Sequence, residues 1–419
     1  MFAQKKTSPD IQSIETFVPR GLITSYKDIL SAKVTSEGLT PLRIYFDNGV
    51  IKKFEVIKDH EKSPATLMLP RLVEPHAHID KAFTWKTSVN MLGTYDGAMN
   101  ANLEEHKDRT IQKVRFRAEK SLKLALKNGI RAIRTHIDSF DMIGAQSLDV
   151  LGEIKKEWES LIYLELVALV PMEYWTTQSG RNLACKVAKK HGLLGGVISP
   201  PYQKRTLRDQ LIELFSLANN FGCGIDLHID ETSLFPGAGL SELLSVLDQI
   251  NLEVPITCSH LSSMALMEPY HLRTLADRLA YHQVNVVALP LTNLWLLSRD
   301  ETCSLLKRPL APIKQLQKAG VTVAIGGDNV QDPWFPAGNF DPLALMSASM
   351  PITHSAPWNR LGLSLFTTSA ARLMGLEWDG TFSIGSRADF VLIDAECWST
   401  AMSTPPSRKV MIHGHWIPN

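Results

Sequence analysis

Two histidines separated by a single residue, His76 and His78, are the first candidates for chemistry in this chain. They lie in the stretch RLVEPHAHIDK, where an apolar approach ends at Glu74-Pro75. Alternate residues of a strand share a face, so both imidazoles would point the same way at a strand end, where two nitrogens can bind one metal ion. An isolated His-x-His more often marks two surface or packed histidines, so whether this pair binds a metal depends on residues further along the chain.

Polar side chains end other strand-like segments in the same manner. His228 and Glu231 close GIDLHIDE, His260 closes PITCSH, and Asp328 lies near the end of VTVAIGGDN. Each of them alone could be a core or loop residue. Imidazoles and a carboxylate that converge at one place would form a first shell for zinc or iron, with a position left for water.

The elements that must position these residues alternate along the chain. Apolar, strand-like runs are separated by segments of helical periodicity, and several runs are almost continuously apolar, which is typical of parallel strands buried on both faces. Eight such strands predict a (β/α)₈ barrel, which carries its chemistry at the C-terminal ends of the strands. The strand candidates are LVEPHAH, GIRAIRTHID, IYLELVALVP, GGVISPP, GIDLHIDE, PITCSH, VNVVALPLTN and VTVAIGGDN.

Both ends of the chain carry short β-like segments instead. Near the N-terminus, LRIYF and IKKFEVI are separated by Asp47-Asn48-Gly49, and the Asn-Gly pair favours a tight hairpin turn. The tail reads GTFSIGSRADFVLIDAE and RKVMIHGHWI. We therefore predict a small discontinuous β domain formed by residues 1–69 and 377–419, and a hydrolase barrel formed by residues 70–376.

Composition excludes several classes of partner. The 419 residues include 44 basic and 43 acidic side chains, a net charge of +1 that predicts neither nucleic acid nor an anionic membrane as partner. The five cysteines are far apart and form no Cys-x-x-Cys pair, which argues against disulfides and thiolate metal sites. The first residues lack the apolar core of a signal peptide, and no apolar run approaches the roughly 20 residues that span a bilayer. We expect a soluble, cytoplasmic protein.

The candidate ligands suggest a hydrolytic reaction. A divalent cation lowers the pKa of water towards about 7, and a neighbouring carboxylate can take up the proton that is released. Asp328 is the candidate for this task, and Glu231, three residues past His228, is the candidate for delivering a proton to a leaving nitrogen. His260 would polarise a carbonyl or stabilise the hydroxide. The alternative for His260 is a structural hydrogen-bonding role.

Taken together, these segments resemble the amidohydrolase superfamily and, within it, the cytosine deaminase branch. The resemblance covers nearly the whole chain, and the tail GTFSIGSRADFVLID is similar to the returning small domain of the superfamily. His-x-His alone would not be specific, but the ordered set is. The matching segments are VEPHAHID, GIRAIRTHID, HIDE, SHLSSMAL, ALPLTNLWL and GGDNVQDPWFPAG.

The resemblance implies roles for individual residues. It makes Glu231 the proton-transferring acid, His260 the group that orients water, and Trp334 a residue of the substrate pocket, although Trp334 is equally compatible with simple packing. The implied metal ligands are His76, His78, His228 and Asp328.

The resemblance also implies the number of metals. Superfamily members with two metals usually bridge them with a carboxylated lysine at the end of strand four, whereas here that strand ends Ile198-Ser199-Pro200-Pro201. One divalent ion per chain is therefore expected, with zinc favoured and iron or manganese as alternatives. Lys81, just after the first strand, is expected to form a salt bridge or to face the substrate.

Two departures from the branch concern the substrate. Cytosine deaminases have Pro-Gln after the third strand, where this chain has Pro171-Met172, and a thioether cannot replace the paired donor and acceptor of an amide. A second aspartate after the metal-binding one is Asn329 here. Cytosine is therefore disfavoured, and Met172 with Trp295 and Trp334 predicts an apolar, aromatic pocket that Asn329 borders.

The predicted function is that of a metal-dependent aminohydrolase. It would replace an exocyclic amine or alkylamine of a nitrogen heterocycle, such as a pyrimidine, a triazine or a pterin-like ring, with oxygen. Ring-opening hydrolysis of a cyclic amide or ureide is the alternative, and it is more often binuclear. A non-catalytic barrel kept for binding is the third hypothesis. We expect a small-molecule substrate and no nucleic acid or membrane partner, and a homo-oligomer stays open.

Overall fold

Two β-sheets organise the chain in the computed structural model, which describes residues 12–24, 29, 32–58, 61–299, 307–403 and 406–418. Residues 1–11, where the sequence predicts no signal peptide, lie outside these ranges. Cys303 lies outside them as well. The other four cysteines are free thiols. The strands are β1 (Gln12–Pro19), β2 (Leu39–Asp47), β3 (Val50–Val56), β4 (Leu67–Pro70), β5 (Leu72–Ala77), β6 (Ile130–Asp138), β7 (Tyr163–Pro171), β8 (Leu193–Ile198), β9 (Ile225–Ile229), β10 (Ile256–His260), β11 (Asn285–Ala288), β12 (Val323–Ile325), β13 (Phe390–Ile393), β14 (Arg408–Ile412) and β15 (His415–Trp416).

Helices follow the strands in the alternation that the sequence predicts. The helix α5, for example, turns an apolar stripe inward by burying leucines three and four residues apart, and it ends at Gly222 in a left-handed conformation. The helices are α1 (Tyr95–Lys107), α2 (Ile111–Lys127), α3 (Met142–Trp158), α4 (Gln178–Ala188), α5 (Lys204–Phe221), α6 (Ala238–Leu247), α7 (Pro269–Tyr281), α8 (Pro290–Leu296), α9 (Ile313–Ala319), α10 (Pro342–Thr353), α11 (Arg360–Ser364), α12 (Thr368–Leu373) and α13 (Trp398–Ser403). Within the described residues, no helix combines the length and the apolar character needed to cross a bilayer.

The strands β5 to β12 form one parallel sheet in sequence order. The sheet closes where Ala77 bridges Asp328 in parallel and the Asp328 amide donates to the His76 carbonyl at 3.0 Å. All eight predicted barrel strands are present, and the prediction of a (β/α)₈ barrel is confirmed. The C-terminal ends of its strands therefore meet at one mouth.

The other sheet joins the two ends of the chain. Its strand order is β15-β14-β13-β4-β1-β2-β3, with β13 antiparallel to β4. Between β2 and β3, Asn48 and Gly49 have positive φ angles of 50° and 72°, as a two-residue hairpin turn requires. The small β domain built from both termini is confirmed as an architecture, while its exact boundaries at residues 69 and 377 remain predictions.

One predicted strand is shorter than its sequence suggests. VNVVALPLTN continues as strand β11 only to Ala288, and Pro290 begins the helix α8. Proline lacks an amide hydrogen and has a fixed φ that suits the first turn of a helix, so the change from strand to helix at this residue has a local cause. The residues Leu291–Trp295 are consequently helical.

Polar side chains occupy two successive levels inside the barrel. The lower layer consists of Arg134, Glu165, Asp226 and Thr257, which point inward from four strands and contact one another. Two residues further along three of these strands, on the same face, lie His136, His228 and Ser259. With His76 and Asp328 from the closing pair of strands, they form the upper layer, nearer the mouth.

Candidate active site

The four predicted metal ligands converge at the mouth of the barrel, where His78, just past the end of β5, joins His76, His228 and Asp328 of the upper layer. His78 Nε2 lies 3.3 Å from Asp328 Oδ1, and His76 Nε2 lies 3.6 Å from the same oxygen. His228 Nε2 lies 3.3 Å from His78 Nε2. All four side chains are buried. The barrel thus brings together nitrogen and oxygen atoms that are separated by up to 252 positions in the sequence, from residue 76 to residue 328.

These atoms fit a divalent metal. His76 Nε2 and both carboxylate oxygens of Asp328 are buried without a hydrogen-bond partner, an arrangement that costs free energy unless a further group satisfies it. Donor atoms of His76, His78 and His228 lie within 4.8 Å of one another. Burial holds the pKa of each of these histidines well below its usual value, so the imidazoles are neutral, which is the form that binds metals.

The first and last barrel strands are tied together directly beneath this cluster. The buried Glu74 carboxylate accepts from the amides of His76 at 3.1 Å and Gly327 at 3.0 Å. A Cβ on Gly327 would come within 2.9 Å of Glu74 Oε2, so glycine is required for this close approach. Burial raises the pKa of Glu74 to about 8. Asp328 follows with a φ of 62°, a strained conformation of the kind that is concentrated at functional sites.

The predicted acid and its histidine form a second group at the mouth. Glu231 Oε1 lies 3.3 Å from His260 Nδ1. Burial, followed by the charge of Asp328, raises the pKa of Glu231 well above its usual value. Burial lowers the pKa of His260 to about 3. A carboxylic acid that keeps its proton therefore lies beside a neutral imidazole.

A residue that sequence reasoning missed completes this group. Asn293 donates through Nδ2 to Glu231 Oε1 at 3.2 Å, and the same nitrogen lies 2.9 Å from His260 Nδ1. The segment PLTNLWL contains this amide side chain two residues before Trp295, the residue that the sequence predicts for the pocket. Residues two apart on a helix point about 200° apart, so when Asn293 faces the site, Trp295 faces away from it.

Trp295 is accordingly the one predicted pocket residue that the structure does not place at the cavity. The cavity at the mouth has a volume of about 650 Å³, and Met172, Asn329 and Trp334 line it. Trp295 packs against an apolar cluster that includes Trp334, and the guanidinium of Arg299 lies 4.5 Å from its ring centroid. Any influence of Trp295 on substrate binding would therefore have to act through other residues.

The cavity wall also carries an ion-pair network. Lys81 Nζ lies 3.1 Å from Asp138 Oδ1, and Arg109 Nη1 lies 3.1 Å from Asp138 Oδ2. Although burial acts to raise the pKa of Asp138, Lys81 and Arg109 outweigh it and hold that pKa below its usual value. Lys81 also lies 6.0 Å from the ring centroid of Trp334. The expected salt bridge of Lys81 is present, whereas the sequence alone did not point to Asp138 or Arg109.

A closed parallel barrel whose mouth holds buried imidazoles, a carboxylate and an adjacent acid defines the class of metal-dependent (β/α)₈ hydrolases. The family model described as the amidohydrolase family matches residues 171–416, more than half of the chain. The chain belongs to the amidohydrolase family.

Individual relatives agree with this assignment. The chain is 29% identical over 389 residues to a pterin deaminase of Rhizobium rhizogenes, covering 90% of this chain and 88% of that protein. It is 23% identical over 358 residues to an N-isopropylammelide isopropyl amidohydrolase of Pseudomonas, covering 81% and 82%. A structure of 5-methylcytosine deaminase from Klebsiella pneumoniae liganded with phosphonocytosine has a TM-score of 0.81 and 23% identity, covering 97% and 98%.

These findings confirm the predicted fold, family and enzyme class, a hydrolase that acts on carbon–nitrogen bonds. The geometry brings the predicted metal-binding and catalytic side chains together. The roles of the individual side chains stay predictions.

Proposed function

We propose that this protein is a metal-dependent hydrolytic deaminase of a nitrogen heterocycle. Water replaces an exocyclic amine on a ring carbon, so that the carbon–nitrogen bond breaks, a carbon–oxygen bond forms and ammonia or an alkylamine leaves. The observation that carries the proposal is the position of the buried Glu231 carboxyl group beside unpartnered imidazole and carboxylate donors at the mouth of one cavity.

His76, His78, His228 and Asp328 would hold one divalent ion. When bound, the ion supplies Lewis-acid chemistry that lowers the pKa of water towards about 7. Their nitrogen and oxygen donors suit zinc first, and iron or manganese as alternatives.

A single ion is supported by the charges around the remaining donors. His136 and Asp226 could form a second group with His76, since donor atoms of the three lie within 4.8 Å of one another. Asp226 is already paired with Arg134, whose Nη1 lies 2.7 Å from Oδ2. A fixed guanidinium at this distance repels a second cation.

The side chains divide the proton transfers between them. Asp328 takes up a proton from water, and Glu231 delivers one to the leaving nitrogen, for which its raised pKa suits it. Asn293 fixes the Glu231 carboxyl by a hydrogen bond and contacts His260. The buried Nε2 of His260 has no partner, so it is free to orient water or the reacting ring atom.

The cavity has room for a substrate larger than a single small ring. Its volume of about 650 Å³ lies within the range of roughly 300–1,000 Å³ that is typical of small-molecule sites. Met172 offers an apolar surface, and Lys81 offers donors from a buried ammonium. Together with the relationship to a pterin deaminase, this makes a fused, pterin-like aminoheterocycle the first candidate. An alkylamino-triazine is the second, supported by the N-isopropylammelide relative.

The test is product analysis on a panel of aminopterins, alkylamino-triazines and aminopyrimidines with the zinc-loaded protein. We expect release of ammonia or amine, fastest from a fused ring, and a product in which oxygen has replaced nitrogen. Mass spectrometry separates this outcome from ring opening, because ring opening adds the elements of water without loss of nitrogen. A panel in which every turned-over substrate only gains water would refute deamination.

A further inference from the structure

A continuous chain of buried polar contacts leads from His76 into the interior of the barrel. His76 Nδ1 lies 2.9 Å from Ser259 Oγ, and Ser259 Oγ lies 2.8 Å from Asp226 Oδ1. Asp226 Oδ2 accepts from Arg134 Nη1 at 2.7 Å. Arg134 is 3% exposed and the other three side chains are fully buried, so no solvent competes for these contacts.

The chemistry of the donors sets the direction of each hydrogen bond. Arg134 has only donors, so Asp226 Oδ2 accepts from it, and Asp226 Oδ1 accepts from the hydroxyl group of Ser259. Ser259 must then donate its hydroxyl proton to Asp226 and accept from the Nδ1–H of His76. Because a neutral imidazole carries one proton, Nε2 of His76 is left with its lone pair.

That lone pair points at the proposed metal site, since Nε2 of His76 lies 3.6 Å from Asp328 Oδ1. We infer that Ser259 and Asp226 are positioning residues that hold His76 in the Nδ1–H tautomer, with Arg134 as the anchor that gives the relay its direction. This inference extends the proposed metal site and rests on it.

Two further observations single out His76. Its ring stacks on that of His136, with centroids 3.9 Å apart and planes 29° apart, so its orientation is held from the side as well as through Nδ1. Nδ1 of His228, in contrast, has no hydrogen-bond partner among the described residues. Of the three imidazoles, His76 is therefore the one that hydrogen bonds among the described residues link to the lower layer.

The relay predicts how zinc affinity responds to a small truncation. Ser259→Ala removes the acceptor for His76 Nδ1–H and should raise the zinc dissociation constant of the full, chelator-stripped chain by about 10- to 100-fold, as is usual when a partner of a metal ligand is lost. Competition with a chromophoric chelator measures this without any assay of activity. Ser259→Thr retains the hydroxyl and should restore zinc affinity.

Thr257→Val is the matched control. Thr257 lies on the same face of β10, is buried, and accepts from Arg134 at 3.0 Å, but it is not part of the contacts that lead to His76. This substitution removes one hydrogen bond of the same arginine and should leave the zinc affinity unchanged. Equal weakening by both substitutions would show a general loss of structure and would overturn the relay.

A second measurement does not depend on a folded variant. NMR of isotope-labelled histidine in the metal-free wild-type protein, with His76 assigned by its loss in His76→Asn, should show the Nδ1–H tautomer. An Nε2–H tautomer, or a Ser259→Ala protein that binds zinc as tightly as wild type, overturns the inference. Failure of the wild-type protein to bind zinc at all would instead refute the proposed metal site.

Discussion

The lower and upper layers of the barrel are both polar and buried, but among the described residues only the upper layer contains side-chain atoms without a hydrogen-bond partner. In the lower layer, Arg134 donates to Glu165, Asp226 and Thr257 over distances of 2.6 to 3.0 Å. In the upper layer, Asp328 has no hydrogen bond to either oxygen, and His76 has none at Nε2. Both layers lie in the same interior, so burial alone does not explain the difference.

The contrast separates polar groups that support the fold from groups that are kept available for chemistry. A buried charge is costly unless it is paired, and the lower layer meets that condition within the protein. In the upper layer, buried polar groups are left unpaired within the protein, as is common at functional sites at the expense of stability. Substitutions in the lower layer should therefore act on stability, and on zinc affinity only through the contact between Asp226 and Ser259, whereas substitutions around the mouth should act on binding and turnover.

The largest expected effect is on turnover. Glu231→Gln removes the proton donor while preserving size, so we expect kcat to fall by about 10²- to 10⁴-fold with no loss of thermal stability. Steady-state kinetics on the best substrate of the panel, together with thermal unfolding, check this. Glu213→Gln, an exposed change on α5, is the control and should have wild-type kinetics. Wild-type turnover by the Glu231 variant would remove Glu231 from the mechanism.

The second prediction concerns the stability of the lower layer. Arg134→Met leaves the carboxylates of Glu165 and Asp226 buried without their partner, and breaking such a pair typically costs about 3–5 kcal/mol of unfolding free energy. Denaturant unfolding of the metal-free protein measures it. Arg43→Met, in the partly exposed ion pairs of the terminal sheet, should cost much less, because water and salt screen such pairs. If both variants lost a similar amount of unfolding free energy, the buried ion pairs of Arg134 would contribute no more to stability than the ion pairs of Arg43 at the surface, contrary to this prediction.

Metal binding should stabilise the protein through the upper layer. At a zinc concentration of 100 times the dissociation constant, the unfolding free energy should rise by about 2.7 kcal/mol, and chelation should reverse the rise. Asp328→Asn should lose this gain yet leave the metal-free protein no less stable, because burial already disfavours the charged carboxylate and raises its pKa. A destabilised metal-free Asp328 variant would mean that this carboxylate supports the fold itself.

A smaller effect is expected for the cavity wall. Lys81→Met removes buried donors that face the cavity, while Arg109 continues to pair with Asp138. Loss of one charged hydrogen bond to substrate, worth about 1.5–3 kcal/mol, should raise KM by roughly 10- to 100-fold. The exposed Lys123→Met is the control. A fall in kcat at constant KM would place Lys81 with the reacting groups instead of with substrate recognition.

The smallest effect should come from the apolar side of the cavity. Met172→Gln supplies an amide that can pair with a pyrimidine edge, and one new hydrogen bond worth about 1 kcal/mol should raise kcat/KM for cytosine by less than about tenfold. The measurement compares cytosine with the best fused-ring substrate, whose turnover should decrease. If cytosine turnover does not increase at all, the account of Met172 as a determinant of specificity is wrong.

Local sequence pattern was sufficient for the fold and for the candidate donors. Eight apolar runs predicted the barrel strands, and Asn48-Gly49 predicted the hairpin, because side-chain period and turn chemistry are properties of neighbouring residues. The position of His76, His78, His228 and Asp328 at strand ends followed from the same pattern, since parallel strands of a barrel share one mouth. These inferences needed no knowledge of contacts between distant segments.

Tertiary structure alone decided which side chains touch. It selected Asn293 over Trp295, because the helix that begins at Pro290 turns the two residues to opposite sides. It also paired Lys81 with Asp138 and linked His76 through Ser259 to Asp226. Such contacts depend on how the barrel closes and how each helix packs, which no local periodicity specifies. The sequence by itself determined the kinds of groups at the mouth, and the closure of the barrel determined which of them are satisfied and which remain free to bind.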